Sequence, residues 1–405
     1  MTITRRTLLA TAPLLGTGLA QARAAGSQGP IRIGVLTDMS GPFADSNGRG
    51  SVLAAQMAMD EVGGIIGGRG VEVVSADMGI KVDQAVTIAR GWLDEGVAAI
   101  VDVPSSGAAL AINDLIRAKN ATFLASGPGT ARLTGESCSP NTVHWTIDSY
   151  ALANTATQAM LASGGKDWFF ITADYVFGKD LQAAASDLLR KAGCRVVGSA
   201  LHPVNNADFS SQLLTAQSAR PNVIALANGP TDAGSTLKQA AEFGMMQPGG
   251  PRFISLSMTP LDVQATGLAT TQGLFTVAPF YWDVNDRTRA FSQRFAAKSG
   301  GKMPIFAQAG AYAATRHYLK AVAAAGSTAG DAVIRQMKAL PTDDDAFGQG
   351  NVRADGRKMH PFFLFRVKTP AQSKSAQDTL AIVETVAADT AFRPLAEGGC
   401  KMAGL

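Results

Sequence analysis

Short apolar runs alternate with stretches of helical period from residue 31 onward. Residues 31–36, Ile-Arg-Ile-Gly-Val-Leu, predict a strand that ends in Thr37-Asp38-Met39-Ser40-Gly41-Pro42. Residues 51–62 carry an Ala- and Met-rich helical pattern. A strand at 71–74 and a helix at 83–93 follow, and 98–103, 108–118 and 121–124 continue the alternation. Strands alternating with helices of about 10–15 residues indicate βαβ units around a parallel sheet.

The pattern then restarts. Residues 150–161, 181–192, 209–217 and 236–243 predict helices, and 168–171, 195–197 and 223–226 predict strands. Two α/β units therefore stand in series, with a seam near Trp145-Thr146-Ile147-Asp148. After a strand at 273–277 the chain turns helical, at 287–297, 308–325 and 332–340. These helices have no strands of their own to cover, so they are expected to return to the first unit. Residues 351–353, the turn Ala354-Asp355-Gly356 and residues 362–367 predict a hairpin on the second unit, and 373–377 a polar surface loop. The expected division is 31–146 with 278–345 as lobe 1, 147–277 with 346–370 as lobe 2, and 371–405 as a C-terminal extension. No short-period repeat suggests a solenoid.

Composition narrows the class. Of 405 residues, 46% are hydrophobic and 17% charged, enough apolar material for sizeable cores. Arg5 and Arg6 precede a short apolar stretch, Pro13 and two glycines interrupt it, and Ala22-Arg23-Ala24 fits a small-residue cleavage site. That stretch is shorter than the roughly 20 residues of a spanning helix, so residues 1–24 are expected to be an export signal of twin-arginine type. Removing Arg5, Arg6 and Arg23 takes the net charge from +4 to +1. Nucleic acid is therefore not an expected partner.

Catalytic motifs fail. His144, His202, His317 and His360 are scattered, without a His-Glu-x-x-His pattern. Cys138, Cys194 and Cys400 form no Cys-x-x-Cys pair, and no Gly-x-Ser-x-Gly elbow is present. Gly178-Lys179-Asp180 lacks the hydroxyl residue of a phosphate loop, and Arg132 stands where a dinucleotide loop needs its third glycine. Asp343-Asp344-Asp345 reads as a solvated loop more readily than as a metal site. No cofactor is expected. What remains are small polar turns at strand C-terminal ends: Pro104-Ser105-Ser106-Gly107, Ser126-Gly127-Pro128-Gly129-Thr130 and Asn228-Gly229-Pro230. Ligands of open α/β sheets bind outside strand C-termini, and free N–H groups at a helix start suit an anion.

Residues 33–42, Ile-Gly-Val-Leu-Thr-Asp-Met-Ser-Gly-Pro, with Ala-Gln-Met-Ala at 55–58 and Gly-Gly-Ile at 63–65, resemble the opening of type I periplasmic binding proteins. The similarity is to the leucine/isoleucine/valine-binding branch, solute receptors of ABC importers. Asp174-Tyr175-Val176-Phe177-Gly178, Asp208-Phe209-Ser210 and residues 348–356 match later segments, so the resemblance spans roughly 31–367. It implies two Rossmann-like lobes with parallel central sheets, a three-stranded hinge and one ligand closed between the lobes. It also implies a periplasmic location, a membrane permease as partner and a monomer.

Carried over residue by residue, the resemblance puts Ser106, with Ser105 beside it, on the ligand carboxylate and the Gly127-Pro128-Gly129 backbone on the ligand head group. Ser46 stands near a position often held by an aromatic, Phe177 replaces a common Tyr, and Phe306 falls on an apolar pocket position. Ser257 stands where an acidic residue should hold an ammonium, which argues against an α-amino acid unless Asp174 or Asp232 points inward. Tyr281, at a lobe crossing, either stacks on a ligand ring or packs in the hinge. The segment at 280–283 with Arg393-Pro394 is similar to a subgroup associated with plant-derived aromatic acids. The candidate ligand set is Ser46, Ser105, Ser106, Gly127, Pro128, Gly129, Asp174, Tyr175, Phe177, Asn228, Gly229, Ser257, Tyr281 and Phe306. A small organic acid, aromatic in one version, is the expected ligand. A branched-chain amino acid or amide receptor, a sensor or an exported enzyme on this fold are the alternatives.

Three cysteines allow three single pairings, and sequence alone does not choose. Cys138 and Cys400 lie in loop-like sequence, whereas Cys194 sits at a helix-to-strand junction and suits packing as a small hydrophobe. A Cys138–Cys400 bond is the expectation, because a loose tail gains most from being tied down.

Overall fold

The computed structural model describes residues 29–162 and 164–402. The expected export signal at 1–24 lies outside the described residues. A first sheet is built from β1 (Ile31–Thr37), β2 (Ile65–Ile66), β3 (Arg69–Asp77), β4 (Ala99–Asp102), β5 (Thr122–Ala125) and β6 (Thr142–His144), in the order β2-β3-β1-β4-β5-β6. All its pairings are parallel except that of the two-residue β2. β4 and β5 are buried at every position, as strands covered by helices on both faces must be. The helices α1 (Gly48–Glu61), α2 (Val82–Asp94) and α3 (Ser106–Ala118) connect them.

The second sheet contains β7 (Asp167–Ala173), β8 (Arg195–His202), β9 (Val223–Ala227), β10 (Arg252–Ser255) and β11 (Phe275–Ala278), parallel in the order β8-β7-β9-β10-β11. Its connecting helices are α4 (Ser149–Ala162), α5 (Val176–Lys191), α6 (Ser210–Ala219), α7 (Pro230–Glu242), α8 (Pro260–Thr266) and α9 (Leu268–Thr271). Both sheets are thus doubly wound in the same order. In each, the strand order reverses beside the first strand, between β1 and β4 and between β7 and β9.

The helices α10 (Asp286–Lys298), α11 (Phe306–Ala325) and α12 (Gly330–Ala339) bury Phe291, Tyr312 and Val333 in the first lobe's core. Chain direction therefore changes lobe between 144 and 149, between 278 and 286, and again before residue 362. A two-stranded ribbon, β12 (Thr342–Asp344) with β13 (Gly348–Gly350), precedes the last crossing. Ala346, Phe347 and Val352 still pack in the first lobe's core, later in the chain than the expected boundary at 346.

The expected hairpin of 351–353 with 362–367 does not form. β14 (Phe362–Val367) pairs antiparallel with β11 and with β15 (Leu380–Val386), while Val352 makes only an isolated bridge to Lys358. The Phe-Phe-Leu-Phe run of β14 is buried and needs strands on both sides, which three residues around Val352 cannot supply. Residues 380–386, expected in a C-terminal extension, are the edge of the second sheet. After them α13 (Ala388–Ala391) lies on α4, with Asn154 donating to the Thr390 carbonyl at 2.7 Å. Cys138 and Cys400 are joined by a disulfide, and Cys194 is a buried thiol.

The first and third crossings run side by side. His144 N–H donates to the Gly356 carbonyl at 2.9 Å and Lys358 N–H to the His144 carbonyl at 3.0 Å. Between them lies Arg357, with no exposed surface. Its guanidinium pairs with Asp148 at 3.3 Å, donates to the carbonyls of Thr146 and Lys358, and lies 4.3 Å above the Phe392 ring. Burial pulls its pKa down to about 10, so it stays charged at neutral pH. Removing one partner of a buried pair strands the other. We predict that Arg357→Leu lowers unfolding free energy by about 3–5 kcal/mol in denaturant titrations. A loss below about 1 kcal/mol would show that the pair does not hold the crossings together.

Candidate functional site

Between the two sheets lies a narrow cleft with about 40 Å³ open to a water-sized sphere. That is far below the roughly 300–1,000 Å³ of small-molecule sites, so the lobes stand closed on one another and a ligand enters only when they part. Its walls come from strand C-terminal ends in both lobes, at the two points where strand order reverses. Phe43, Ser46, Asn47 follow β1, and Pro104 follows β4. Tyr175 and Phe177 follow β7, and Gly229 follows β9.

On the first lobe the loop after β1 is held by carboxylates behind it. Asp38 accepts the N–H groups of Gly41 and Phe43 at 2.7 and 2.9 Å. Asp102, fully buried at the end of β4, accepts the Thr37 hydroxyl and the Asn47 amide, each at 2.7 Å. Ser46 in turn donates to Asn47 Oδ1 at 2.9 Å. Burial raises the Asp102 carboxyl to about 6, against these bonds and helped by the charge of Asp38. Asp102 and Val103 have φ of 79° and 62°, a conformation that is costly for a β-branched residue and tends to cluster at binding sites. A β-carbon on Gly127 would meet Asp102 Oδ1 at 2.5 Å and the Pro104 backbone at 2.9 Å, so only glycine fits beside this strained turn.

On the second lobe Tyr175 and Phe177 pack edge to face, 6.0 Å between ring centres. Burial and the nearby Asp232 charge push the Tyr175 phenol up, so it is neutral at physiological pH. Asp232 itself does not line the cleft, and it accepts the N–H groups of Asn205 and Asn206 at 3.1 and 2.9 Å. Ser257 donates to the Asn228 carbonyl at 2.6 Å. Thr259 caps α8 in a reciprocal box with Asp262. The lobes touch: a β-carbon on Gly129 would meet the Phe177 ring at 2.3 Å, and Thr130 donates to Asp180 at 2.5 Å. Phe306, at the start of α11, contacts both cores.

Of the candidate residues, Ser46, Gly127, Gly129, Tyr175, Phe177, Gly229, Ser257 and Phe306 line this cleft. Pro128 is buried beside it, its carbonyl bonded to His144. Ser105 is the N-cap of α3, accepting the Ala108 N–H at 3.4 Å. Ser106 and Asn228 are fully buried next to lining residues, and among the described residues neither side chain has a hydrogen-bond partner. Two candidates stand elsewhere. Asp174 is exposed and pairs with Lys179 at 2.6 Å. Tyr281 is packed in the second lobe's outer core, its hydroxyl bonded to Gln377 and Thr379, so it belongs to the hinge rather than to a ligand.

Sequence reasoning missed Phe43, Asn47, Pro104, Ile147 and Thr259. Thr259-Pro260-Leu261-Asp262 carried the signal for Thr259, since Thr, then Pro, then Asp three residues on marks a helix start. No lining residue carries a charge, and among the described residues no group of His, Cys, Asp or Glu is arranged to hold a metal. Also among the described residues, no helix is long and apolar enough to cross a membrane.

Comparison with known proteins agrees with this geometry. The family model described as periplasmic binding protein matches residues 30–376. A periplasmic binding protein from Burkholderia mallei is 40% identical, with a TM-score of 0.89 over 92% of this chain and 99% of its own. A branched-chain amino acid ABC transporter periplasmic ligand-binding protein from Burkholderia xenovorans is 38% identical, with a TM-score of 0.83 over 92% and 100%. A solute-binding protein of an ABC transporter from R. palustris, in complex with benzoate, shares the fold at 20% identity and a TM-score of 0.80 over 92% and 100%. A search of curated proteins returns no match. The chain belongs to the periplasmic binding protein family, among the non-enzymatic solute-binding receptors of ABC transporters of the leucine/branched-chain type.

Proposed function

We propose that this receptor captures a small organic acid, with an aromatic carboxylate as the leading case, and delivers it to the permease of an ABC importer. The observation that carries the reading is the cleft itself: four rings, Phe43, Tyr175, Phe177 and Phe306, and neutral hydroxyl and amide groups, with no acidic side chain on the wall. Rings on both lobes suit a flat apolar body that both lobes sandwich. The carboxylate is assigned to the start of α3, which follows the wall residue Pro104 and where the buried Ser106 hydroxyl has no hydrogen-bond partner among the described residues. Closure then follows the ligand's better fit to the closed form. The same fold holds benzoate in the R. palustris protein.

A branched-chain amino acid is the second reading, favoured by the description of the Burkholderia xenovorans relative. It would leave an ammonium without a carboxylate on the cleft wall, at a cost of several kcal/mol. In a thermal-shift screen, aromatic and aliphatic acids are expected to stabilise the protein more than the matching α-amino acids. At a hundred times Kd the gain is about 2.7 kcal/mol. Tight leucine or valine binding would overturn the organic-acid reading, and turnover of any bound compound would overturn the receptor reading.

Ser106→Ala is predicted to weaken binding of the best acid by about 1–3 kcal/mol, the range for a hydrogen bond to a charged group. Calorimetry giving an unchanged Kd would remove Ser106 from the site. The Arg5-Arg6 pair supports export by the twin-arginine route to the periplasm. Replacing both arginines by lysine is expected to retain the chain in the cytoplasm, and fractionation showing undiminished periplasmic protein would refute that route.

A further inference from the structure

The three crossings are not the whole connection between the lobes. Cys138 lies on the first lobe, between Leu133, packed in that lobe's core, and β6, with the neighbouring Ser137 carbonyl held by Asn113 of α3 at 2.9 Å. Cys400 ends a tail that leaves the second lobe, where Ala391 and Phe392 are buried in the core. Between these anchors the tail follows a groove whose two banks belong to different lobes. Ala131, Arg132 and Glu136 form one bank, and Asp180, Asp187 and Lys191 of α5 the other. Arg393 donates to the Ala131 carbonyl at 3.3 Å, and Glu397 lies 3.7 Å from Lys191. The Thr130–Asp180 bond crosses the same gap, so the groove is a flank of the interlobe opening.

We propose that the Cys138–Cys400 bond makes this tail a fourth tie across the interlobe gap, one that limits how far the ligand-free lobes open. The anchors at Phe392 and Cys400 are eight residues apart, a reach of at most about 29 Å when fully extended. The short helical turn at Leu395–Glu397 and the Gly398 carbonyl seated on Gly135 take up part of that length. The tail's contacts across the gap and onto α5, a part-buried Arg393 hydrogen bond and an exposed Lys191–Glu397 pair, are individually weak, so the covalent bond decides whether the tie holds. A tie that trims the open ensemble raises the fraction of molecules ready to close, and apparent affinity rises with that fraction.

Small-angle scattering of the ligand-free protein tests this. The Cys138→Ser/Cys400→Ser variant is expected to have a larger radius of gyration than the wild type, whereas Cys194→Ser, at a buried thiol that bonds the Gly165 carbonyl and takes no part in the tie, is expected to match it. Indistinguishable curves for wild type and double variant overturn the proposal. Where the double variant fails to fold, wild-type protein reduced and alkylated in its folded state replaces it, with the same two outcomes. With benzoate as probe, calorimetry is expected to show weaker binding without the bond, on the order of 5-fold. Only this second arm rests on the organic-acid reading, so a protein that ignores benzoate yet expands on losing the bond would sink that reading and leave the tie intact.

Discussion

A single buried guanidinium holds the hinge of this receptor together. Arg357 sits where the first and third crossings lie side by side, and its charge is met by Asp148, by main-chain carbonyls and by the face of Phe392. Desolvating a charge costs several kcal/mol unless geometry and hydrogen bonds offset it, and here the partners are drawn from three parts of the chain. Asp148 comes from the first crossing, Lys358 from the third, and Phe392 from the tail. The charge also sets its surroundings: burial and Arg357 hold His144 and His360 well below the usual histidine range, so both remain neutral.

The cleft inherits its position from topology. Each lobe reverses strand order beside its first strand, and each reversal leaves a crevice at the strand ends. Carboxylates do the shaping without facing a ligand. Asp38 and Asp102 fix the loop that presents Phe43, Ser46 and Asn47, while Asp262 fixes Thr259. The wall that remains is neutral, and the proposed binding of an anion falls to hydroxyls and main-chain N–H groups. Under that proposal, such groups favour an acid over a zwitterion.

Much of this was legible in the sequence. The alternation of strand and helix located both lobes, because strands buried on two faces leave continuous apolar runs such as residues 97–101. Polar turns after those runs located Gly127, Gly129 and Gly229 on the cleft wall, and the family resemblance located Ser46, Tyr175, Phe177, Ser257 and Phe306. Other features depended on partners distant in sequence. Nothing local distinguishes Tyr281 in a hinge core from an aromatic on a ligand; the Gln377 carbonyl decides it, 96 positions away. The pairing of β14 turned on β15, whose run rich in β-branched residues at 382–386 is a strand signal that stands beyond a polar loop, in a segment that reads as a tail. Phe43 and Asn47 were missed because their orientation is set by Asp38 and Asp102 rather than by any motif.

The central claim is that an organic acid lies between the rings of both lobes with its carboxylate at the start of α3. A crystal structure of the protein with its best-binding acid tests this most directly. The account predicts density between Phe43, Tyr175, Phe177 and Phe306, with a carboxylate oxygen within hydrogen-bond distance of Ser106 Oγ or the adjacent main-chain N–H groups. A ligand bound outside this cleft, or one whose ammonium is held there by a carboxylate side chain, would contradict it.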